Sequence, residues 1–278
     1  SHLRVAPDSV RFWVDLSRAE FDTQGPTGGE IYDRRLHDLI FLWDFGDTAG
    51  AWTAPEKGLP AWKNRNTAKG PFVAHMYTRP GTYTASVLVV EPSSGKTASA
   101  TVEIAVADPD VVYARANTIC VNPVGDSDFT GAPAGAARGN MDLLTHADAN
   151  LPKYRNTGPK RWLFKRGAIY SQSLDISLEA NGLYFGTYGS GVKPIINAVP
   201  TSNFREAVVY CNGLFGGTED TPDLRFTDLD FRGIFDPVTT IYSDPGEFCM
   251  GLLMQGSADV AVSRCDFSGF HSVQINLQ

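Results

Sequence analysis

Long apolar runs are absent from this 278-residue chain. No stretch approaches the roughly 18 to 20 residues that a membrane-spanning helix requires. Basic runs are missing as well. The net charge is −7, with 11 Lys and Arg against 14 Asp and Glu up to residue 110, and 13 against 17 beyond it. The mildly acidic balance of both halves makes nucleic acid and anionic membrane poor partners on electrostatic grounds. Cysteine is scarce: Cys120, Cys211, Cys249 and Cys265 are the four, all in the second half and none in a C-x-x-C pair. That spacing argues against a zinc site. Small buried apolar residues are the favoured reading, with one disulfide among the four as the alternative. No G-x-S-x-G, Walker loop or H-E-x-x-H motif occurs, which leaves acyl transfer, nucleotide binding and zinc proteolysis without support. The chain opens at Ser1 rather than Met and nothing near it reads as a signal peptide, so the expectation is that a segment ahead of it has been removed.

What is present is strand. At 42% hydrophobic and 20% charged the composition is that of a folded globular protein. Residues 10–16 alternate, with Val10, Phe12, Val14 and Leu16 on one side and Arg11, Trp13 and Asp15 on the other. A Gly/Pro/Thr loop follows at 23–29, then a strand from Leu39 that ends in the Gly46-Asp47 turn. Two long alternating segments, 81–90 and 100–106, are joined by Pro92-Ser93-Ser94-Gly95 and read as a hairpin. Short strands between turn signals indicate a β-sandwich.

The block Leu42-Trp43-Asp44-Phe45-Gly46-Asp47, then His75-Met76-Tyr77, then Pro80-Gly81-Thr82-Tyr83-Thr84, resembles the signature of PKD (polycystic-kidney-disease-like) domains over about residues 5–107. The resemblance implies a seven-stranded, immunoglobulin-like sandwich that serves extracellular proteins as a spacer or as a carbohydrate- or protein-contacting module. Trp43 and Phe45 are expected to face its core, and His75 to pack or hydrogen-bond rather than to catalyse. The insertion at 48–72 departs from the family pattern. It carries Trp52 and Trp62, candidates for stacking on sugar rings, since an aromatic face suits the C–H face of a pyranose.

Ala107-Asp108-Pro109-Asp110 reads as a short stiff connector, dividing the chain into 1–109 and 110–278. Beyond it come a strand at 117–121, a helix expected over 136–149, and a strand from Arg161. Two later stretches match position by position: Phe226 with Val262, Asp230 with Asp266, Phe231 with Phe267, Gly233 with Gly269. A repeat of short strands signals a solenoid, in which each coil buries its inward residues only beneath another coil. Leu163-Phe164-Lys165-Arg166-Gly167-Ala168-Ile169-Tyr170 and Tyr188-Gly189 with Lys193-Pro194-Ile195-Ile196 resemble the N-terminal coils of the pectate-lyase-like right-handed β-helix superfamily. The fold expectation is therefore all-β: an Ig-like sandwich followed by a right-handed parallel β-helix with a short N-terminal capping helix. The last alternating segment, 272–278, carries the further expectation that more coils or another chain follow.

A lyase of that superfamily needs a base for the α-proton and a group that neutralises the sugar carboxylate; a hydrolase needs paired carboxylates. Asp230 and Asp266, at equivalent positions of successive coils, are the candidate carboxylates. Arg264 and His271, with Lys165, Arg166 and Arg232, are the candidate base or acid-sugar ligands. The Asp230–Asp266 pair reads either as a groove carboxylate pair, or part of a Ca²⁺ site, or as turn-capping polar residues beside Phe231 and Phe267. The last is the commoner role for such residues. Beyond Ca²⁺ no cofactor is expected. The expected function is a secreted or surface-displayed protein that binds, and in one version cleaves, a polysaccharide or cell-surface glycan through the β-helix with the first module as spacer. The alternative is a non-catalytic fibre, adhesin or virion spike with the β-helix as a rod, and homo-oligomerisation as an analogy from such spikes.

Overall fold

Alternation of apolar and polar side chains builds the first unit, Arg4–Pro109. The computed structural model describes residues 4–21, 33–48, 51–52, 62–63, 66–140, 160–171, 174–178, 182–197, 206–213, 223–233, 249–255, 260–270 and 275–277. Strand β1 (Asp8–Trp13) buries Val10 and Phe12 and turns Ser9, Arg11 and Trp13 outward. A short helix, α1 (Arg34–His37), is started by Asp33, whose side chain accepts from the Arg35 N–H. Next come β2 (Ile40–Asp44), β3 (Ala51–Trp52), β4 (Trp62–Lys63), β5 (Thr67–Lys69), β6 (Phe72–Tyr77), β7 (Gly81–Val90) and β8 (Thr97–Val106). They pair antiparallel in the orders β5-β2-β7-β8, β1-β6 and β3-β4. The expected hairpin is β7–β8.

Trp43 and Phe45 face the core as expected, at 5% and 1% exposure. Phe12 meets their rings at 5.6 and 5.4 Å between centroids. The polar ends of the core aromatics find backbone partners: Trp43 Nε1 donates to Gly70 O (2.9 Å) and Tyr77 Oη to Phe45 O (3.0 Å). That removes the cost of burying them. His75 stacks on Phe45 at 4.4 Å, and its Nε2 lies 3.0 Å from Asp47 Oδ2 with both side chains almost fully buried. It is a packing and hydrogen-bonding histidine. Gly46 adopts φ +68°, and a Cβ there would stand 2.6 Å from Thr84 O, so the turn after β2 admits only glycine.

The second unit, Asp110–Gln278, is led by the short helix α2 (Pro109–Val112) and a turn of 3₁₀ helix at Arg115–Asn117. The strands that follow are β9 (Thr118–Asn122) and β10 (Ala137–Asn140), then four sets of three. These are β11 (Lys160–Lys165), β12 (Ile169–Tyr170) and β13 (Leu174–Leu178); β14 (Leu183–Tyr188), β15 (Ile195–Asn197) and β16 (Glu206–Gly213); β17 (Leu224–Thr227), β18 (Asp230–Arg232) and β19 (Cys249–Gln255); and β20 (Val260–Ser263), β21 (Asp266–Ser268) and β22 (Ile275–Leu277). From β11 on, each strand pairs in parallel with the strand three places later. The result is three parallel sheets: β10-β9-β11-β14-β17-β20, β12-β15-β18-β21 and β13-β16-β19-β22.

The expected repeat register holds residue for residue. Phe226 pairs with Val262, Asp230 with Asp266, and Phe231 with Phe267. Inward side chains form vertical files, such as Ile119, Trp162, Phe185, Phe226 and Val262. Phe185 stacks on Phe226 and Phe231 on Phe267, each at 5.1 Å between ring centroids, close to the roughly 4.8 Å separation of neighbouring strands.

The helix expected over 136–149 is corrected over its first part. Ala137–Asn140 is strand β10, with Gly139 opposite Val121 of β9; residues 141–149 lie outside the described residues. The helical reading leaned on Met141, Leu143 and Leu144, all beyond the strand. What decides 137–140 is the unpaired edge of β9, whose backbone groups gain partners from a fourth-residue extension regardless of helix propensity.

Phe231 is fully buried between coils, so Phe231→Ala leaves a cavity that neighbouring rungs cannot close. The expected loss is about 3–5 kcal/mol, read as a lower urea midpoint for the transition that carries the second unit.

Candidate functional site

The sequence candidates of the second unit converge on the turn that leads from the first parallel sheet into the second, and on the outer face of the strands beyond it. Asp230 of β18 and Asp266 of β21 stand in register, which brings two carboxylates within about one strand spacing of each other. Each has its own cation. Arg232 Nε and Nη2 donate to Asp230 Oδ2 at 3.1 and 2.8 Å. Lys193 Nζ donates to Asp266 Oδ2 at 2.8 Å. The expected acid pair is thus two ion pairs, and neither side chain sits in the apolar pocket that makes a general acid.

Arg264 lies one coil above Asp228. Its Nε donates to Asp228 Oδ1 (2.9 Å) and its Nη2 to Asp228 Oδ2 (2.7 Å) and Thr227 Oγ1 (2.9 Å). Arg166 adds a second guanidinium, Nη2 to Asp228 Oδ2 at 3.8 Å. Both Asp228 (φ +60°) and Arg264 (φ +54°) hold left-handed backbone conformations, which cost a non-glycine residue on the order of 1–2 kcal/mol. A two-pronged, charge-assisted pair between the turns helps to offset that strain. Burial raises the Asp228 carboxyl, but the hydrogen bond and charge of Arg264, with Arg166 behind it, outweigh burial and hold it below the usual carboxylate range. The same hydrogen bond pushes Arg264 up.

Lys165, a candidate base, is closed in the same way. Its Nζ donates to Asp126 Oδ2 (2.9 Å), Asp128 Oδ2 (3.1 Å) and Asp128 O (2.7 Å). The Asp126 hydrogen bond pushes the ammonium up, the opposite of what a base acting near neutral pH requires. The two described thiols are poor nucleophiles as well. Cys120 and Cys265 are free, and burial raises them to about 11 and about 12.

Trp52 and Trp62 are directly opposite each other on the antiparallel strands β3 and β4; their side chains lie outside the described residues, as does His271. Among the described residues, no group of three or more His, Cys, Asp or Glu is placed to hold a metal. Lys193 and Asp228–Arg264 were missed as partners by sequence reasoning. The repeat aligned Asp230 with Asp266, but Lys193 reaches Asp266 from two coils away at an offset that no repeat alignment displays.

Residues 4–104 match the PKD domain family. The PKD match spans the Trp43-to-Asp47 turn, the His75–Tyr77 strand and the β7–β8 hairpin, and it points to an extracellular or surface protein. No helix among the described residues is long and apolar enough to cross a membrane. No curated protein and no solved structure matches the chain.

The ion pair beneath Arg264 has a pH signature. Because the folded carboxyl of Asp228 is depressed, its contribution is complete above the unfolded value of about 3.9 and disappears as pH falls through the folded value. Asp228→Asn is expected to cost about 1 kcal/mol or less near neutrality. Its stability, measured by urea unfolding across pH, begins to approach that of the parent protein as pH falls below about 4 and meets it once pH is below the depressed folded value of Asp228.

Proposed function

We propose that this is an extracellular or surface-displayed protein in which a PKD module is followed by coils of a right-handed parallel β-helix, and that this β-helix is a stiff, non-catalytic scaffold. The parallel pairing of each strand with the one three places later supports the β-helix, and the general handedness of parallel crossovers supports its right hand. The observation that carries the scaffold reading is the closure of the candidate chemistry. Asp230, Asp266, Asp228–Arg264 and Lys165 each spend their charge on a neighbour in the chain. A stack of short coils held by such pairs resists bending, since every coil is tied both through its interior and across its outer turns.

A second reading, binding of an acidic polysaccharide along the coils, is favoured by one observation. The strip holds four cations, Arg166, Lys193, Arg232 and Arg264, against three carboxylates, Asp228, Asp230 and Asp266. This leaves one positive charge in excess on an otherwise acidic chain.

Incubation of the chain with polygalacturonate and alginate, followed by ultraviolet absorbance of unsaturated sugar and by assay of reducing ends, tests the scaffold reading. Neither signal is expected above the level of a heat-denatured control. Product formed at a rate that Asp266→Asn lowers would overturn it.

A further inference from the structure

The outer face of the β1–β6 pair in the PKD module carries side chains that the core of the fold does not use. Trp13 is 68% exposed and Phe72 69%. They stand directly opposite each other across the antiparallel ladder, where paired side chains share a face with Cβ atoms about 5 Å apart. Phe12, between them and the interior, is the residue that packs against Trp43 and Phe45. Arg11 lies on the same outer face, two residues before Trp13 and opposite Ala74, which is too short to cover it. An open depression of about 560 Å³ is lined by Arg11, Phe12, Trp13, Phe72, Val73 and Ala74, within the roughly 300–1,000 Å³ of ordinary ligand sites.

We propose that this face is a binding site for a carboxylated polysaccharide, with a pyranose ring laid on Trp13 and Phe72 and its carboxylate on Arg11. Aromatic faces left in water suit a ligand that has a flat C–H surface and a polar rim, as a sugar ring has. Charge selects among sugars. Arg11 has no ion-pair partner among the described residues, and a planar guanidinium matches a carboxylate with two parallel hydrogen bonds. The carboxylate on this strand, Asp8, faces the opposite side and is buried, and Asp15, beyond the strand's end, accepts from the Ser17 N–H.

The competing occupants fit less well. A protein partner in a stable complex covers about 20–30 residues a side, far more than this depression offers. A second copy related by a two-fold axis would bring one Arg11 towards the other, since such an interface sets the same patch against itself. The site lies on other residues than the ion-paired strip of the second unit and does not rest on the scaffold reading.

Affinity electrophoresis of the full chain through gels containing polygalacturonate, alginate or dextran tests it. Retardation is expected with at least one of the two uronates and not with dextran, and it weakens as salt is added. Trp13→Ala and Phe72→Ala each weaken it about tenfold. Arg11→Gln removes the preference for uronate over dextran. Because all three side chains are exposed, the variants are expected to keep the melting temperature of the parent, which is measured alongside. Three results overturn the proposal: no retardation by either uronate; retardation that persists in Trp13→Ala and is lost in Lys193→Gln, which puts the sugar on the second unit; or a concentration-dependent self-association abolished by Trp13→Ala, which makes the patch a contact between copies.

Discussion

A strand of three residues such as Asp230–Arg232 cannot satisfy its backbone within its own coil. Its ladder runs to Ile195–Asn197 on one side and Asp266–Ser268 on the other. The displacement that closes those hydrogen bonds also sets each inward side chain over its counterpart, so Ile196, Phe231 and Phe267 form one file and Trp162, Phe185 and Phe226 another. Backbone satisfaction and burial are therefore one constraint in the second unit. A one-residue slip between coils would move every apolar side chain outward and leave the file empty.

The outer surface inherits the same spacing. Asp228 and Arg264 occupy matching turns of neighbouring coils, and the left-handed backbone at both positions aims their side chains at each other. Lys193 is brought into reach of Asp266 by the same stacking, while Arg232 meets Asp230 along its own strand. The Asp228–Arg264 and Lys193–Asp266 pairs join segments that are far apart in the chain. The PKD module is built differently. Its strands pair antiparallel, its core is closed by the aromatic group of Phe12, Trp43, Phe45 and Tyr77, and its buried polar pair, Asp47 with His75, satisfies itself inside. What the module leaves unused lies outside, on the face with Trp13 and Phe72.

Much of the architecture was legible in the residues, for a physical reason. In both units the side-chain environment repeats at short range: alternation over 8–13 separates Phe12 from Trp13, and the second unit repeats the same inward position once per coil, as with Phe231 and Phe267. The segment 137–140 was misread because its state depends on a free strand edge at β9, and an edge has no local signature. Asp230 and Asp266 were placed correctly relative to each other; the partner of Asp266, Lys193, was not foreseen because it lies 73 residues earlier in the chain, whereas Arg232 pairs with Asp230 inside the one strand β18.

The resemblance of the Trp43–Asp47 and His75–Tyr77 motifs pointed to the PKD family over the first module; periodicity and the internal repeat determined that the chain is mostly strand and that Phe231 pairs with Phe267. These depend on which way a side chain points, which the local alternation of apolar and polar residues controls. Only the tertiary structure decided that Asp266 meets Lys193, that Arg264 meets Asp228, and that Trp13 stands beside Phe72 in water. Those meetings depend on the register between segments distant in the chain, and register is set jointly by all the hydrogen bonds and core contacts of a sheet rather than by any one stretch of sequence.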